Sequence, residues 1–291
     1  MYTKARLTAL ITLLALFWPF FPEANPIVSD SKIIVTDADK AILQAKLDKF
    51  AAQRSLPIGE LIINIGKDFL GTPYVAKTLD KTNEENLVVN LRELDCTTFV
   101  ENCLAIARTV KSSKPNFKQF ITELEKIRYR NGKMDGYVSR LHYFSEWISN
   151  NESKRLLDDV TFQLGGIRMP INLNLMSTKP EAYPQLKSND KLIEQVKIIE
   201  TELSARIFFY IPTAKFGDAE ADIQDGDIAA MTSPIEGIDV LHVGLMFRNQ
   251  NRIYFLHASS TQKKVVITEE PFEQYLSESK RSSGIMIARP L

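Results

Sequence analysis

Apolar positions recur at helical spacing through the first half of the chain and gather into short alternating runs in the last third. Ile58, Leu61, Ile62, Ile65 and Phe69 follow the i, i+3, i+4 pattern of one helix face, and Gly71 supplies the left-handed residue that ends such a helix. Asp37 to Phe50 shows the same habit more loosely through Ala41, Ile42, Ala45 and Phe50. Phe117, Phe120, Ile121, Leu124 and Ile127 mark another amphipathic helix, and Asp190 to Leu203 is expected to be helical. Gly71-Thr72-Pro73-Tyr74 reads as a turn into extended chain, Leu87 to Leu91 as a short extended segment, and Arg140 to Asn150 as irregular to helical. Asp95 is placed to cap a helix that begins at Cys96. Downstream the period shortens: Asp227 to Met231, Val240 to Phe247, Arg252 to His257, Lys264 to Thr268 and Ile285 to Ala288 read as a meandering antiparallel sheet, with Arg248 to Asn251 as a hairpin turn. Helices first and strands last is the α+β pattern.

Composition narrows this picture. The 291 residues, 44% hydrophobic and 25% charged, suffice for one domain with its own core and no need of disulfide or metal. The 36 basic and 36 acidic residues cancel, and without a basic run the counterion release that drives nucleic-acid binding has little to act on, so no nucleic-acid partner is expected. Lys4 and Arg6 precede an apolar run from Leu7 to Phe21, with Ala24 as a small residue for cleavage. This predicts a signal peptide over residues 1–24 and export to a periplasmic or extracellular space. The apolar run, about fifteen residues at ~1.5 Å each, reaches roughly 22 Å against a hydrocarbon core of ~30 Å, so no permanent membrane anchor is expected.

Export would carry Cys96 and Cys103 into an oxidising compartment. Seven positions along one helix separate their Cα atoms by about 10 Å, beyond the ~7 Å that a disulfide spans, so two free thiols are expected, with Cys103 a small buried residue.

Cys96 carries the candidate chemistry. The chain has three histidines, and two of them, His242 in HVG and His257 in HAS, arrive on strand-like segments after the helix-borne thiol. A cysteine in a first helical turn faces unpaired amides that favour the thiolate and stabilise an oxyanion, and a histidine can take its proton. His242 alone would read as a core histidine. Gly244, which permits close approach, and the second histidine across the hairpin favour a catalytic assignment, with His257 orienting the ring of His242. Asp95 would oppose a thiolate unless its carboxylate turns back onto the helix as a cap. Spacing offers neither a zinc-site ligand pair nor HExxH, and there is no G-x-S-x-G elbow or phosphate-binding glycine loop, so neither metal nor cofactor is expected.

Gly71-Thr72-Pro73-Tyr74, Asp95-Cys96, Gly226-Asp227-Ile228, His242-Val243-Gly244 and His257-Ala258-Ser259 match, in order, the landmarks of the NlpC-type cell-wall cysteine peptidases, which have a reduced papain-like fold. The stretches LDCTTFVE, GYVSRLHYFSEW, HVGL, HASS and GIMIAR resemble more specifically the N-acetylmuramoyl-L-alanine amidase-like family. That resemblance implies a papain-like core, a helix-borne cysteine packed on an antiparallel sheet, in a single domain over residues 30–291. It implies Cys96, His242 and His257 as the catalytic set, with Tyr74 beside the cysteine. The reaction implied is hydrolysis of the amide between N-acetylmuramic acid and L-alanine in peptidoglycan fragments, with anhydro-muramyl species as substrates and a thioester intermediate. A γ-D-glutamyl-diamino-acid endopeptidase and a non-catalytic peptidoglycan-binding protein are the alternatives.

Two departures from the wider clan stand out. Thr97 and Thr98 replace the usual small residues after the cysteine, and a largely helical insertion, about residues 111–220, separates cysteine from histidine. The insertion is expected to wall the cleft and favour soluble fragments. It holds Tyr137, Ser139, Arg140 and His142, read as substrate contacts because a charged pair among aromatics is costly to bury unpartnered; Tyr143, Phe144 and Trp147 read more simply as core. A monomer is expected, with a bell-shaped pH profile arising from a Cys96–His242 ion pair.

Overall fold

Side-chain caps at Thr36, Asp95, Asn116 and Asn189 set the starts of four helices. In the computed structural model, which describes residues 30–291, Thr36 and Asp39 form a capping box at the head of α1 (Asp37–Phe50). The expected signal peptide lies outside the described residues. Helix α2 (Ile58–Lys67) buries Leu61, Ile62 and Ile65, and Gly71 follows at φ +84°, where its amide bonds the Val265 carbonyl. Helix α3 (Cys96–Lys111) begins directly after Asp95 and is buried along most of its length, and α4 (Phe117–Arg128) packs beside it. Further helices are α5 (Phe144–Ser153), α6 (Leu175–Thr178), α7 (Asp190–Ser204), α8 (Phe216–Ala219) and α9 (Phe272–Glu278). Among the described residues no helix is long and apolar enough to cross a membrane.

Strands β1 (Ile33–Ile34) and β2 (Leu87–Val88) pair in parallel at the periphery. The main sheet is antiparallel and runs β4 (Ile167–Arg168), β5 (Phe209–Pro212), β10 (Gly284–Pro290), β6 (Ile228–Thr232), β7 (Val240–Asn249), β8 (Arg252–Ser259) and β9 (Lys264–Ile267), with β3 (Leu157–Asp159) also pairing β10. The meander therefore holds only from β6 to β9. The last strand inserts between β5 and β6, and its run Ile285-Met286-Ile287-Ala288 is buried throughout because both faces are covered. The region expected as a helical insertion is more mixed than that, since β3 and β5 come from it and pair directly with β10.

The period of two divides the core. Ala230, Val243, Leu245, Leu256, Ala258 and Met286 face the helical layer that contains α3. Ala229, Met231, Met246, Ile253, Phe255 and Ile287 face the other way, against Phe216, Phe272 and Leu276. Gln250 and Asn251, at φ 49° and 67°, turn the β7–β8 hairpin, with both central residues left-handed as the twist of the strands requires.

Candidate active site

Asp95 takes the capping role. Its Oδ1 accepts from the Thr98 amide at 2.8 Å and from the Thr98 hydroxyl at 2.8 Å, while the Asp95 amide donates back to Thr98 Oγ1 at 2.9 Å. Phe99 N–H bonds the Asp95 carbonyl, which leaves the Cys96 and Thr97 amides of the first turn without intrahelical acceptors.

The thiol reaches the sheet where two strands part. Pairing of β7 with β8 runs from Asn249↔Arg252 to Leu245↔Leu256 and stops there; nearer the site β7 pairs only with β6, and β8 only with β9. The Val243 amide, in this stretch of β7 that no longer pairs with β8, hydrogen-bonds the Cys96 sulfur. Beside it, His242 Nε2 and His257 Nδ1 lie 2.6 Å apart in a hydrogen bond. Ring contacts fix the pair: His257 stacks on Phe255 with centroids 4.8 Å apart and lies 5.5 Å from Tyr275.

Gly244 follows from this geometry. A Cβ there would fall 2.6 Å from Phe255 ring atoms and 2.8 Å from His257 Cβ, so the close approach foreseen at this position is made by side chains of the neighbouring strand. Gly244→Ala is expected to destabilise the fold by about 1–3 kcal/mol through overpacking and to push His257 off His242. Chemical denaturation measures the first effect; an unchanged midpoint would mean that the strands spread without cost.

Burial dominates the titration of the site. Desolvation and then the Asp95 carboxylate push the Cys96 thiol up to about 12, against the opposing Val243 amide and the Thr97 hydroxyl and amide. Burial lowers His242 to about 4, and burial with the neighbouring His242 lowers His257 to about 3. The resting state is neutral thiol with neutral imidazoles. These shifts run against the expected resting ion pair, since first-turn donors only partly offset removal of charge from water, while Cys96 and His242 each keep part of their surface in solvent.

Tyr74 is brought to the same place. Its amide bonds the Lys263 carbonyl at 2.9 Å and its backbone bridges Leu94, two residues before Cys96. Burial, then Cys96 and Asp95, push its hydroxyl up to about 12.

The other four candidates sit in a separate cluster, in which Arg140 Nε and Glu85 Oε2 are buried without a hydrogen-bond partner. Arg140 is 6% exposed, ion-paired with Asp80 at 2.5 Å and 3.6 Å from Glu85, and lies over the Tyr137 ring. Ser139 Oγ donates to Gly136 O and accepts from the Asp135 amide, and His142 Nε2 meets Tyr137 O at 3.0 Å. Tyr137 and Ser139 are buried too. Read in the sequence as substrate contacts, these side chains find partners within the fold, the buried guanidinium beside two carboxylates. Cys96 and Cys103 are both free thiols, as expected from their spacing, and among the described residues no cluster of His, Cys, Asp and Glu could hold a metal.

Tyr275 was not anticipated. It lies on α9 against His257, and burial, Glu270 and Cys96 all raise its hydroxyl pKa. Pro271 followed by Phe272, Tyr275 and Leu276 at helical spacing was the signal for it. His242, His257 and Tyr275 line a cavity of 240 Å³.

A family model described as AmiA-like, N-acetylmuramoyl-L-alanine amidase-like, matches residues 64–285. The chain belongs to the N-acetylmuramoyl-L-alanine amidase-like family. A solved N-acetylmuramoyl-L-alanine amidase from Bacteroides uniformis ATCC 8492 is similar at 39% identity and a TM-score of 0.75, over 80% of this chain and 99% of that one. A Bacteroides fragilis protein carrying a provisional xylanase name is also 39% identical, with a TM-score of 0.73 over 78% and 99% of the two chains. A Legionella pneumophila protein at 21% identity shares the fold, with a TM-score of 0.67 over 87% of this chain and 95% of that one. No curated protein gives a match. Cys96, His242 and His257 all fall within the matched amidase-like region, as does the whole parted stretch of β7 and β8.

Proposed function

We propose that this amidase-like protein is an exported cysteine hydrolase with a papain-like, NlpC-type core, which cleaves the amide between the lactyl group of N-acetylmuramic acid and L-alanine in peptidoglycan fragments. The observation that carries this reading is the alignment of the Cys96 sulfur on the Val243 amide with the adjacent His242–His257 hydrogen bond.

For His242 Nδ1 to accept a proton, its Nε2 must carry hydrogen and donate to His257 Nδ1. His257 then holds the tautomer, as a carboxylate or amide does in other triads. Because thiol and imidazole are both neutral at rest, proton transfer accompanies attack. The sulfur adds to the carbonyl carbon while its proton passes to His242, and the new oxyanion is met by amides of the first turn of α3. His242 returns the proton to the departing L-alanine nitrogen, leaving a lactyl thioester on Cys96. Water attacks the thioester carbon and gives a proton to His242; the carboxylic product leaves, and the thiol regains its proton. Tyr74 borders the reacting sulfur and is suited to position the carbonyl.

Small fragments are the favoured substrates, anhydro-muramyl peptides among them, since Met169 to Asn172 of the inserted region line a further cavity with Pro234 to Gly237, next to the strand that carries His242. Incubation of anhydro-muramyl tri- and tetrapeptides with protein lacking residues 1–24 should release peptide beginning at L-alanine, read by mass spectrometry and absent with Cys96→Ala. Cleavage after D-glutamate would reassign the enzyme as an endopeptidase, and equal release from intact sacculi would remove the preference for fragments.

A further inference from the structure

Arg281 lines the 240 Å³ cavity of the histidine pair. Arg92, Arg108, Arg128, Arg130, Arg140, Arg252 and Arg289 each meet a carboxylate, while Arg54 and Arg248 meet backbone carbonyls and Arg206 an aromatic ring. Arg281 has no ion pair or hydrogen bond among the described residues, and no carboxylate lines its cavity. Its neighbours there are the hydroxyls of Ser259, Ser260, Thr261, Ser279 and Ser282, with Met231 and Leu241 as apolar surface. Both imidazoles are neutral at rest, so the guanidinium is the cavity's formal charge.

Arg281 is exposed at the cavity rim, and the residues that follow it are tied down. Ser282 N–H bonds Ser279 O at 3.0 Å, Ser283 N–H bonds Thr232 O at 2.9 Å, and the Thr232 and Ser283 hydroxyls meet at 2.8 Å. Thr232 ends β6, where the register against β7 shifts between Met231↔His242 and Thr232↔Val240. The turn that presents Arg281 is thus tied to the strand paired with the one carrying His242.

We infer that Arg281 is a specificity-determining residue that binds a carboxylate of the substrate. The planar fork of a guanidinium matches a carboxylate bidentately, and serine and threonine hydroxyls complete a polar bed for a peptide. The inference rests on the muropeptide reading, in which two groups offer that chemistry: the α-carboxylate that γ-linked D-glutamate leaves free next to L-alanine, and the C-terminal carboxylate of the stem.

Calorimetric binding to Cys96→Ala and to Cys96→Ala/Arg281→Gln tests it, with an anhydro-muramyl tripeptide in its acid form, its D-glutamate α-carboxamide form and its C-terminal amide form. Cys96→Ala should bind the acid form about tenfold or more tightly than one of the two amides, and Arg281→Gln should erase that difference. The amide that weakens binding identifies the carboxylate. Arg281→Lys, which keeps charge without the fork, should retain part of the preference, and melting temperatures should match because Arg281 has no partner to lose. Equal affinity for all three forms, a preference that survives Arg281→Gln, or no binding of the acid form would overturn the inference. The readout needs no bond cleavage, so a wild-type protein that binds with this preference but hydrolyses nothing refutes the amidase reading and leaves Arg281 standing.

Discussion

Cys96→Ala is expected to lower kcat/KM on anhydro-muramyl peptide by about four orders of magnitude or more, His242→Ala by a similar factor, and the double variant no further than the weaker single one. In the proposed mechanism nucleophile and base act as a unit: without the sulfur no thioester would form, and without His242 the thiol, raised to about 12, would keep its proton at neutral pH. Additive losses would mean that the two residues work in separate steps. The pH profile gives an independent reading. His242 must be neutral to accept the proton, and burial holds it near 4, so kcat/KM should rise as pH increases through about 4 and then stay level through neutrality. The thiol limb lies near 12, so the bell expected from an ion pair opens into a plateau. An acid limb near the ordinary histidine value of about 6.5 would show instead that the resting site carries a proton on the pair.

Glu101→Ala should cost about 3–5 kcal/mol, a large share of the 5–15 kcal/mol that holds a typical domain together. Glu101 and Arg128 are each 2% exposed, and Arg128 Nε donates to Glu101 Oε2 at 2.7 Å. A second guanidinium nitrogen donates to the Val88 carbonyl at 2.7 Å, so one side chain on α4 ties α3 to β2. Truncating the glutamate strands a cation in the core, whereas Glu101→Leu with Arg128→Met removes both charges and their desolvation cost. The double variant should therefore recover most of the loss, short of roughly 1–3 kcal/mol for the Val88 carbonyl left without a donor. Urea denaturation at unchanged m-value reads both effects; a loss below ~1 kcal/mol for Glu101→Ala would show that water or another group reaches Arg128.

Local physics was legible along the chain. Gly71 turns the chain at positive φ, four residues past the end of α2 at Lys67 and not at its cap. Asp95 caps α3, the hairpin turns at Gln250 and Asn251, and the strands from β6 to β9 follow one another because each depends on spacing or on a few neighbouring residues. The run Ile285 to Ala288 was legible as a strand, but its place between β5 and β6 was not, since strand order depends on pairings with residues far away in sequence.

Arg140 shows the limit most clearly. A charged residue among aromatics does demand a partner, as the sequence argument held, yet Asp80 lies sixty positions upstream in a loop, and the demand is met inside the fold. Tyr74 and Cys96 meet through backbone bonds to Leu94 and Lys263 that no local pattern announces.

By itself, then, the chain determined the main helices of its first half and the strands β6 to β9, that its two cysteines stay unbridged, and which thiol and imidazoles are candidates for chemistry. Only the tertiary structure decided that β7 and β8 part beside Gly244, that the sulfur reaches the Val243 amide there, that burial raises the thiol pKa and lowers those of the histidines, and that Arg281 is left without a carboxylate. The division has a physical reason. Caps, turns and periodicity are interactions between near neighbours, whereas burial, proton affinity and ion pairing depend on what the rest of the molecule brings to each group and how much water it removes.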